Sequence, residues 1–151
     1  MASFVRNVCN VGKIAYKNTA VFLCDMQEKF RGNIQYFPQI IAVSSRILKA
    51  GKILDMPIIA TEQYPKGLGP TVAELELQKN NIQAFPKTQF SMMTNDVQDL
   101  IKKSSNDIKS VVLCGIETHV CIQGTALSLL EEGYDVHIVV DGCSSRSMVD
   151  R

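Results

Sequence analysis

Cys121 is the residue whose position in the sequence offers the clearest chemistry. It lies three residues after Thr118, at the start of a segment with helical spacing, where Thr118 is suited to cap the helix. Unpaired N–H groups and the positive end of a helix dipole favour a thiolate, which is the nucleophilic form of cysteine. A buried structural cysteine fits the same spacing, so the pattern alone leaves both interpretations open.

A nucleophilic cysteine needs a base, and the two histidines are poor candidates. His119 is only two residues from Cys121, and side chains at that spacing on a helix project in different directions. We interpret His119 as a pocket wall or surface residue and His137, inside a strand pattern, as structural. We therefore expect neither histidine to pair with Cys121 as its base.

Two charged residues offer an alternative to histidine. Asp25 directly follows the apolar run TAVFLC, where a carboxylate either caps the next segment or belongs to a site. Lys87 stands in FPKTQFS, between apolar residues. It is either a solvated loop lysine or, beside a carboxylate and a thiol, a cation that stabilises a thiolate.

The other cysteines are expected to be structural. Cys24 and Cys114 end the runs VFLC and VVLC, which predicts small, buried and inert side chains. Cys143 is interpreted as an ordinary turn cysteine, with a redox-responsive thiol as the alternative. The five cysteines are scattered and show no CxxC spacing. This pattern argues against a zinc site or a disulfide framework and predicts a reducing, intracellular location.

The elements that must position these residues alternate along the chain. Short apolar runs predict strands over 19–24, 57–61, 81–85, 110–114 and 134–140. Helical spacing predicts helices over 38–54, 72–77, 94–103 and 118–132, with Thr94 as a cap and Gly133 as a stop. Solid apolar strands between helices predict an α/β fold: a three-layer α/β/α sandwich around a mostly parallel, doubly wound, Rossmann-like sheet. Ligands of such sheets bind beyond the carboxyl ends of the strands.

Length and composition narrow the class of protein. The chain of 151 residues predicts a single domain over 1–151, and the formal charge of +1 does not favour a nucleic-acid partner. No apolar run approaches the ~18 residues that span a membrane, and the first residues show no secretory signal. We therefore expect a cytoplasmic protein without a membrane partner.

Three motifs then resemble a known family. DMQEKF (25–30), FPKTQFS (85–91) and GIETHVCIQGTALSLLEEG (115–133) are similar, in order and spacing, to the motifs of the isochorismatase-like cysteine hydrolases. ATEQYPKGLG and VVDGCSSRS resemble the isochorismatase domain-containing proteins of animals. The resemblance extends from about residue 18 to the last residue.

The resemblance implies a catalytic triad of Asp25, Lys87 and Cys121, in which the aspartate takes the thiol proton and the lysine holds the charged state. The thiolate would attack a small amide or related carbonyl substrate and form a covalent thioester-type intermediate. The family also implies a cis peptide bond between residues 116 and 117, which would direct N–H groups toward an oxyanion. From their positions after the strands and from the resemblance, we expect seven residues to bind the substrate: Gln27, Phe30, Gln63, Tyr64, Phe90, Glu117 and His119.

The chain departs from the family in two places. The stretch EQYPKG (62–67) has no histidine where nicotinamidases of the superfamily bind a metal, so we expect no metal and no cofactor. Isochorismatases proper lack the nucleophilic cysteine, which disfavours that reaction. The chain also ends where family members continue with a last helix and strand. We expect a C-terminally short domain whose uncovered surface favours a homo-oligomer, with a weak or inactive binding scaffold as the alternative to an enzyme.

Overall fold

A five-stranded, fully parallel sheet forms the centre of the protein. The structure is a computed structural model that describes residues 12–151, so Cys9 and the opening segment lie outside the described residues. The strands are β1 (Thr19–Cys24), β2 (Ile58–Gln63), β3 (Ala84–Lys87), β4 (Ser110–Ile116) and β5 (Asp135–Ser144). Their order in the sheet is β3-β2-β1-β4-β5. This confirms the predicted α/β fold with a doubly wound sheet.

Two strands at the centre of the sheet, β1 and β4, are buried along their whole length. Every residue of β1 and β4 is buried, as expected for strands covered by helices on both faces. The two strands run side by side from the pair Thr19 and Ser110 to the pair Cys24 and Gly115. Both therefore end at the same edge of the sheet.

The α-helices of the described residues are α1 (Phe37–Ile53), the short α2 (Pro65–Leu68), α3 (Asn95–Lys103) and α4 (Gln123–Glu131). Right-handed crossovers between parallel strands place α1 on one face and both α3 and α4 on the other. The Thr94 hydroxyl accepts a hydrogen bond from the N–H of Val97, which confirms the predicted cap of α3. Gly133 follows α4 with a φ of +88°, which confirms it as the stop of that helix.

Three predicted elements differ from the structure. The strand expected over 81–85 lies at 84–87, and Pro86 is tolerated there because β3 is an edge strand within the described sheet. The helix expected over 72–77 is only a 3₁₀ turn at Ala73–Leu75, preceded by the short helix α2. Strand β5 extends to Ser144, beyond its apolar run, because its last residues pair with the end of β4.

Strand β5 is the other edge of the described sheet. Val140 is 77% exposed on it, and Ile138 is exposed as well. The homo-oligomer that would cover this surface stays a prediction. Within residues 12–151, no helix is both long enough and apolar enough to cross a membrane.

The strand order places a topological switch point beside β1. Its neighbours β2 and β4 lie on opposite sides, and the chain reaches them by crossovers on opposite faces. Loops after β1 and β4 therefore diverge and leave a crevice at the carboxyl edge of the sheet, where ligands bind in folds of this kind. Asp25 and Cys121 both follow strands at this crevice.

Gly115 allows β4 to pass close to the end of β1. Its φ is +130°, and a Cβ atom on it would overlap with the backbone carbonyl oxygen of Cys24. Only glycine fits both the backbone conformation and the space.

We expect Gly115→Ala to lower the free energy of unfolding by about 3 kcal/mol or more, because strain at positive φ adds to a backbone clash. Gly133→Ala is the matched control, since Gly133 also has positive φ but no described atom within 4 Å of the place that an added methyl carbon would occupy. It should cost only about 1–2 kcal/mol. Urea unfolding of both variants measures the difference, and equal losses would contradict the close approach at Gly115.

Candidate active site

Asp25 begins the site at the end of β1. Its side chain is buried, and its left-handed φ of +51° turns the chain sharply out of the strand. One carboxylate oxygen, Oδ1, accepts a hydrogen bond from the Thr61 hydroxyl at 2.8 Å. The other, Oδ2, lies 2.7 Å from the Lys87 ammonium nitrogen. The carboxylate therefore faces the site, and the alternative of a cap for the next segment is wrong, because Glu28–Phe30 has no side-chain cap.

Lys87 is the last residue of β3, and its side chain is wholly buried. Besides Asp25, its ammonium donates to the Gln63 side-chain oxygen at 2.7 Å and to the carbonyl oxygens of Gln89 and Phe90 at 3.1 and 3.0 Å. It also lies 3.8 Å from the sulfur of Cys121. The interpretation of Lys87 as a solvated loop lysine is wrong.

Lys87 carries a positive charge in this setting. Burial disfavours the ammonium form, but the negative charge of Asp25, its hydrogen bond with the ammonium and the neighbouring sulfur of Cys121 outweigh it and raise the pKa of Lys87 above its ordinary value. A buried charge pair is stable only when the remaining polar atoms are satisfied as well. The bonds from Thr61 to the carboxylate and from Lys87 to three other oxygens meet that condition.

Cys121 enters the site from a single π-helical turn, Thr118–Ile122, that leads into α4. The side chain is 6% exposed, and the carbonyl oxygen of the residue accepts a hydrogen bond from Thr125 at 2.6 Å. Turns of this type inside helices are frequent at functional sites. Here the turn brings the sulfur of Cys121 over the carboxyl end of the sheet, beside Lys87.

Two predicted details of this turn are wrong. Thr118 lies inside the turn rather than at the cap, which is Glu117 in a left-handed conformation with no side-chain cap bond. The peptide bond between Ile116 and Glu117 is trans, as are all peptide bonds of the described residues. The positive φ of Glu117, +53°, reverses the chain instead. The N–H of Thr118 donates to the hydroxyl of Ser145.

The pKa of Cys121 is lowered from the ordinary thiol value. The main cause is the neighbouring thiol of Cys24, which can donate a hydrogen bond to the ionised sulfur, and the charge of Lys87 acts in the same direction, against the effects of burial and of Asp25. The surroundings therefore favour the nucleophilic form of this cysteine.

Cys24 lies beside Asp25, Lys87 and Cys121, and we call these four residues the cluster. The sequence pattern of Cys24 predicts an inert side chain. Its sulfur lies 3.4 Å from Oδ2 of Asp25, and the ligand atoms of Cys24, Asp25 and Cys121 lie within 4.8 Å of one another. Successive residues of a strand normally point to opposite faces, which predicts that Cys24 and Asp25 diverge. The left-handed backbone of Asp25 breaks that alternation and brings both side chains to one side. Adjacency to a strand-end carboxylate was the only available signal.

The remaining described cysteines are packed away from the cluster. Burial raises the pKa of Cys114 to about 12 and the pKa of Cys143 to about 11. The sulfur of Cys114 lies near the hydroxyl of Ser44 and the carbonyl of Phe22, inside the core. Cys143 is buried against the carbonyl of Leu113, so both thiols are inert.

Two of the proposed substrate-binding residues hold the site together. The buried amide of Gln27 donates to the carbonyl oxygens of Gln63 and Gly69 and accepts from the N–H of Gln63. The amide of Gln63 accepts from Lys87 and donates to the carbonyl of Thr88. Gln27 thus fixes the end of β2, and Gln63 in turn orients Lys87.

Aromatic side chains surround the entrance to this region. Tyr64 and Phe90 are 56% and 63% exposed, whereas Phe30 is buried in the core. A cavity of about 480 Å³ opens beside Lys87, and Tyr64, Pro65, Lys66, Pro86, Thr88, Gln89 and Thr94 line it. A larger cavity of about 700 Å³ at the outer side of β3 is lined by residues such as Glu62 and Glu76. Of these two cavities, the smaller reaches Lys87, whereas Asp25 and Cys121 are not among its lining residues. Its size suits a small molecule.

Glu117 and His119 belong to the turn that carries Cys121, and their side chains approach each other. Oε1 of Glu117 accepts from Arg146 at 2.8 Å, and its Oε2 lies 3.9 Å from Nδ1 of His119. That nitrogen is also 3.1 Å from the Ser145 hydroxyl. His119 does not contact the sulfur of Cys121 in any described hydrogen bond, which fits the interpretation that it is not the base.

Three side chains of the cluster carry atoms that could bind a metal ion. The atoms of Cys24, Asp25 and Cys121 are close enough to share a cation, but the ammonium of Lys87 already supplies the positive charge at Asp25. At the end of β2, in the stretch that the resemblance aligns with the metal-binding segment of nicotinamidases, Glu62 accepts two hydrogen bonds from Thr71. Oε1 of Glu62 therefore holds Thr71 in place through both of these hydrogen bonds.

An acid, an amine and a thiol that meet at the carboxyl edge of a doubly wound parallel sheet define a class of α/β protein with a cysteine-centred site. The isochorismatase domain model matches residues 19–151 of the chain. The protein therefore belongs to the isochorismatase family, which confirms the family prediction made from the three motifs.

Individual relatives narrow this assignment. Isochorismatase domain-containing protein 2 of Xenopus laevis is 55% identical over 141 residues, covering 93% of this chain and 67% of that protein. The Homo sapiens protein of the same name is 51% identical over 142 residues, covering 94% and 67%. A solved structure, described as MAR1 ribonuclease from Caenorhabditis elegans, is similar with a TM-score of 0.83 and 48% identity, covering 92% of this chain and 71% of that one. The chain thus spans about two thirds of the length of these relatives.

We expect Lys87→Met to lower the free energy of unfolding by about 3–5 kcal/mol at neutral pH, because it leaves the buried Asp25 carboxylate without a cation. Adding Asp25→Asn should recover part of that loss, since the uncompensated charge disappears. Urea unfolding measures both.

The control for this comparison is Lys79→Met, which removes an exposed ion pair of similar length, 2.8 Å, with Glu76. That variant should change stability by less than about 1 kcal/mol. A Lys87→Met protein as stable as the control would show that the buried pair does not stabilise the site.

Proposed function

We propose that the protein is a metal-independent cysteine hydrolase that acts on a small amide or related carbonyl compound. Cys121 is the nucleophile, Asp25 the base and Lys87 the cation that stabilises the thiolate. The observation that carries this proposal is the position of the Lys87 ammonium, 2.7 Å from the Asp25 carboxylate and 3.8 Å from the Cys121 sulfur, in a buried site. Membership of the isochorismatase family supports it at the level of the class.

The proton of Cys121 moves to Asp25 in the first step. Lys87 does not accept it, because the raised pKa of this lysine keeps it protonated and its ammonium already donates to oxygen atoms. The resulting thiolate lies beside the positive charge of Lys87, in a site where water does not screen the attraction. Asp25, now protonated, holds the proton for the leaving group.

The thiolate sulfur then attacks the carbonyl carbon of the substrate. The tetrahedral adduct collapses as its C–N bond breaks, and the proton on Asp25 goes to the departing amine, which leaves a thioester on Cys121. Water attacks that thioester after losing a proton to the Asp25 carboxylate. The second tetrahedral adduct collapses as its C–S bond breaks, the carboxylic acid product leaves, and the thiolate of Cys121 takes back the proton held by Asp25.

Substrate size follows from the surroundings of the cluster. The cavity beside Lys87 has a volume of about 480 Å³ and is lined by the exposed Tyr64, and Phe90, which follows the lining residue Gln89, is exposed as well. Aromatic rings at such an entrance favour a substrate with a flat or apolar portion next to its carbonyl group. In this proposal, Tyr64 and Phe90 select the substrate, and Glu117 and His119 close the opposite wall.

RNA is the second candidate substrate, because the C. elegans protein with 48% identity is described as a ribonuclease. We favour the small carbonyl compound on electrostatic grounds. The charge of Lys87 is already paired with Asp25, and the chain as a whole carries a formal charge of only +1. Proteins that bind a polyanion depend on unpaired cations along its backbone.

A panel of small amides, esters and one single-stranded RNA, assayed in the presence of a chelator, tests the function. We expect turnover of at least one carbonyl compound, and we expect Cys121→Ser to reduce it about a thousandfold or more because the nucleophile is lost. Intact-mass spectra of the wild type should contain the acyl adduct on Cys121.

Cys114→Ala is the matched control, because it removes another buried cysteine, from the strand that leads to the site. It should retain most of the turnover. Equal turnover by Cys121→Ser and the wild type would refute the proposed nucleophile, and cleavage of the RNA alone would replace the amide substrate with the second candidate.

A further inference from the structure

Cys24 has no part in the mechanism above, yet its side chain touches the reacting groups. It is the last residue of β1 and is wholly buried. Its sulfur lies 3.4 Å from Oδ2 of Asp25, which is the same oxygen that Lys87 approaches to 2.7 Å. A thiol in this place is a hydrogen-bond donor to the proposed base.

We propose that Cys24 is a positioning residue of the site. Its S–H group stabilises whichever of the two reacting groups, Asp25 or Cys121, carries the negative charge. While Cys121 is a thiol, the S–H of Cys24 donates to the Asp25 carboxylate. Once Asp25 has taken the proton, the same S–H rotates and donates to the thiolate of Cys121. This inference rests on the proposed role of Cys121 as the nucleophile.

The thiol of Cys24 keeps its proton throughout. Burial is the largest of the effects that raise the pKa of Cys24 well above the ordinary value, and the nearby negative charge of Asp25 adds to it. The titratable groups that face Cys24 are Asp25, Lys87 and Cys121. Of the two neighbouring thiols, Cys121 therefore ionises and Cys24 serves as the donor.

The switch of acceptor follows from the geometry. The sulfur atoms of Cys24 and Cys121 and an oxygen of Asp25 lie within 4.8 Å of one another, so a rotation about one side-chain bond redirects the S–H. After the proton transfer, Oδ2 of Asp25 is no longer an anionic acceptor, whereas the sulfur of Cys121 has become one. No proton is gained or lost by Cys24 in the change.

Lys87 cannot fill this role by itself. Its three ammonium protons face the Asp25 carboxylate, the Gln63 amide and two backbone carbonyls, and its nitrogen stays 3.8 Å from the sulfur of Cys121. It supplies charge to the thiolate at that distance. Cys24 supplies a directed hydrogen bond, weak enough as an S–H donor to leave the thiolate nucleophilic.

The test is the pH dependence of Cys121 alkylation by iodoacetamide in reduced protein, with the labelled residue located by peptide mass spectrometry. Cys24→Ala, which has no donor, should raise the apparent pKa of Cys121 by about one pH unit, so that alkylation below that pKa slows about tenfold. Cys24→Ser retains a donor and should stay close to the wild type. Cys114→Ala, a buried cysteine outside the cluster, should leave the titration unchanged.

The inference is overturned if the titration of Cys24→Ala superimposes on that of the wild type, or if Cys24→Ser shifts as far as Cys24→Ala. Cys24→Val is the second variant without a donor, and it fills the volume of the thiol if the alanine variant does not fold. The readout needs no turnover. If Cys24→Ala shows the expected shift but the wild type hydrolyses nothing on the panel, the proposed function is contradicted while the role of Cys24 in the ionisation of Cys121 is supported.

Discussion

The ion pair between Lys87 and Asp25 is the interaction on which the arrangement of the site depends. Transfer of two charges from water to the protein interior is costly, and it is tolerated only when their attraction and further hydrogen bonds compensate. Here Thr61, Gln63 and two backbone carbonyls satisfy the remaining polar atoms. The pair has a chemical consequence as well, because it fixes a cation 3.8 Å from the sulfur of Cys121, where the positive charge favours the thiolate.

The fold brings the three residues of the site together from strands that are distant in sequence. Asp25 follows β1, Lys87 ends β3 and Cys121 follows β4, and the parallel order brings all three to one edge. Two backbone features complete the convergence. Asp25 turns out of its strand at positive φ, and Gly115 lets β4 approach the carbonyl of Cys24 without a side chain between them. Sheet topology sets the approximate position of the groups, and these local features bring them into contact.

The sequence predicts the sheet and the general location of the site, because those depend on apolar runs and on strand order. Thr94 and Gly133 were predictable for a similar reason, since helix ends follow local rules. The cluster partner Cys24 was not predictable, because its direction depends on a left-handed residue after a strand. Neither was the π-helical turn that moves Thr118 away from the cap, since one extra residue in a helical turn leaves no trace in apolar spacing.

The ionisation of Cys121 is the property that tests this account most directly. Thiolates absorb ultraviolet light that thiols do not, so the difference in absorbance between the wild type and Cys121→Ser, followed across pH, reports that single group. The account predicts a transition clearly below the ordinary cysteine pKa of about 8.5. A transition at or above that value would mean that Lys87 and Cys24 do not stabilise the thiolate, and the site would then lack its nucleophile.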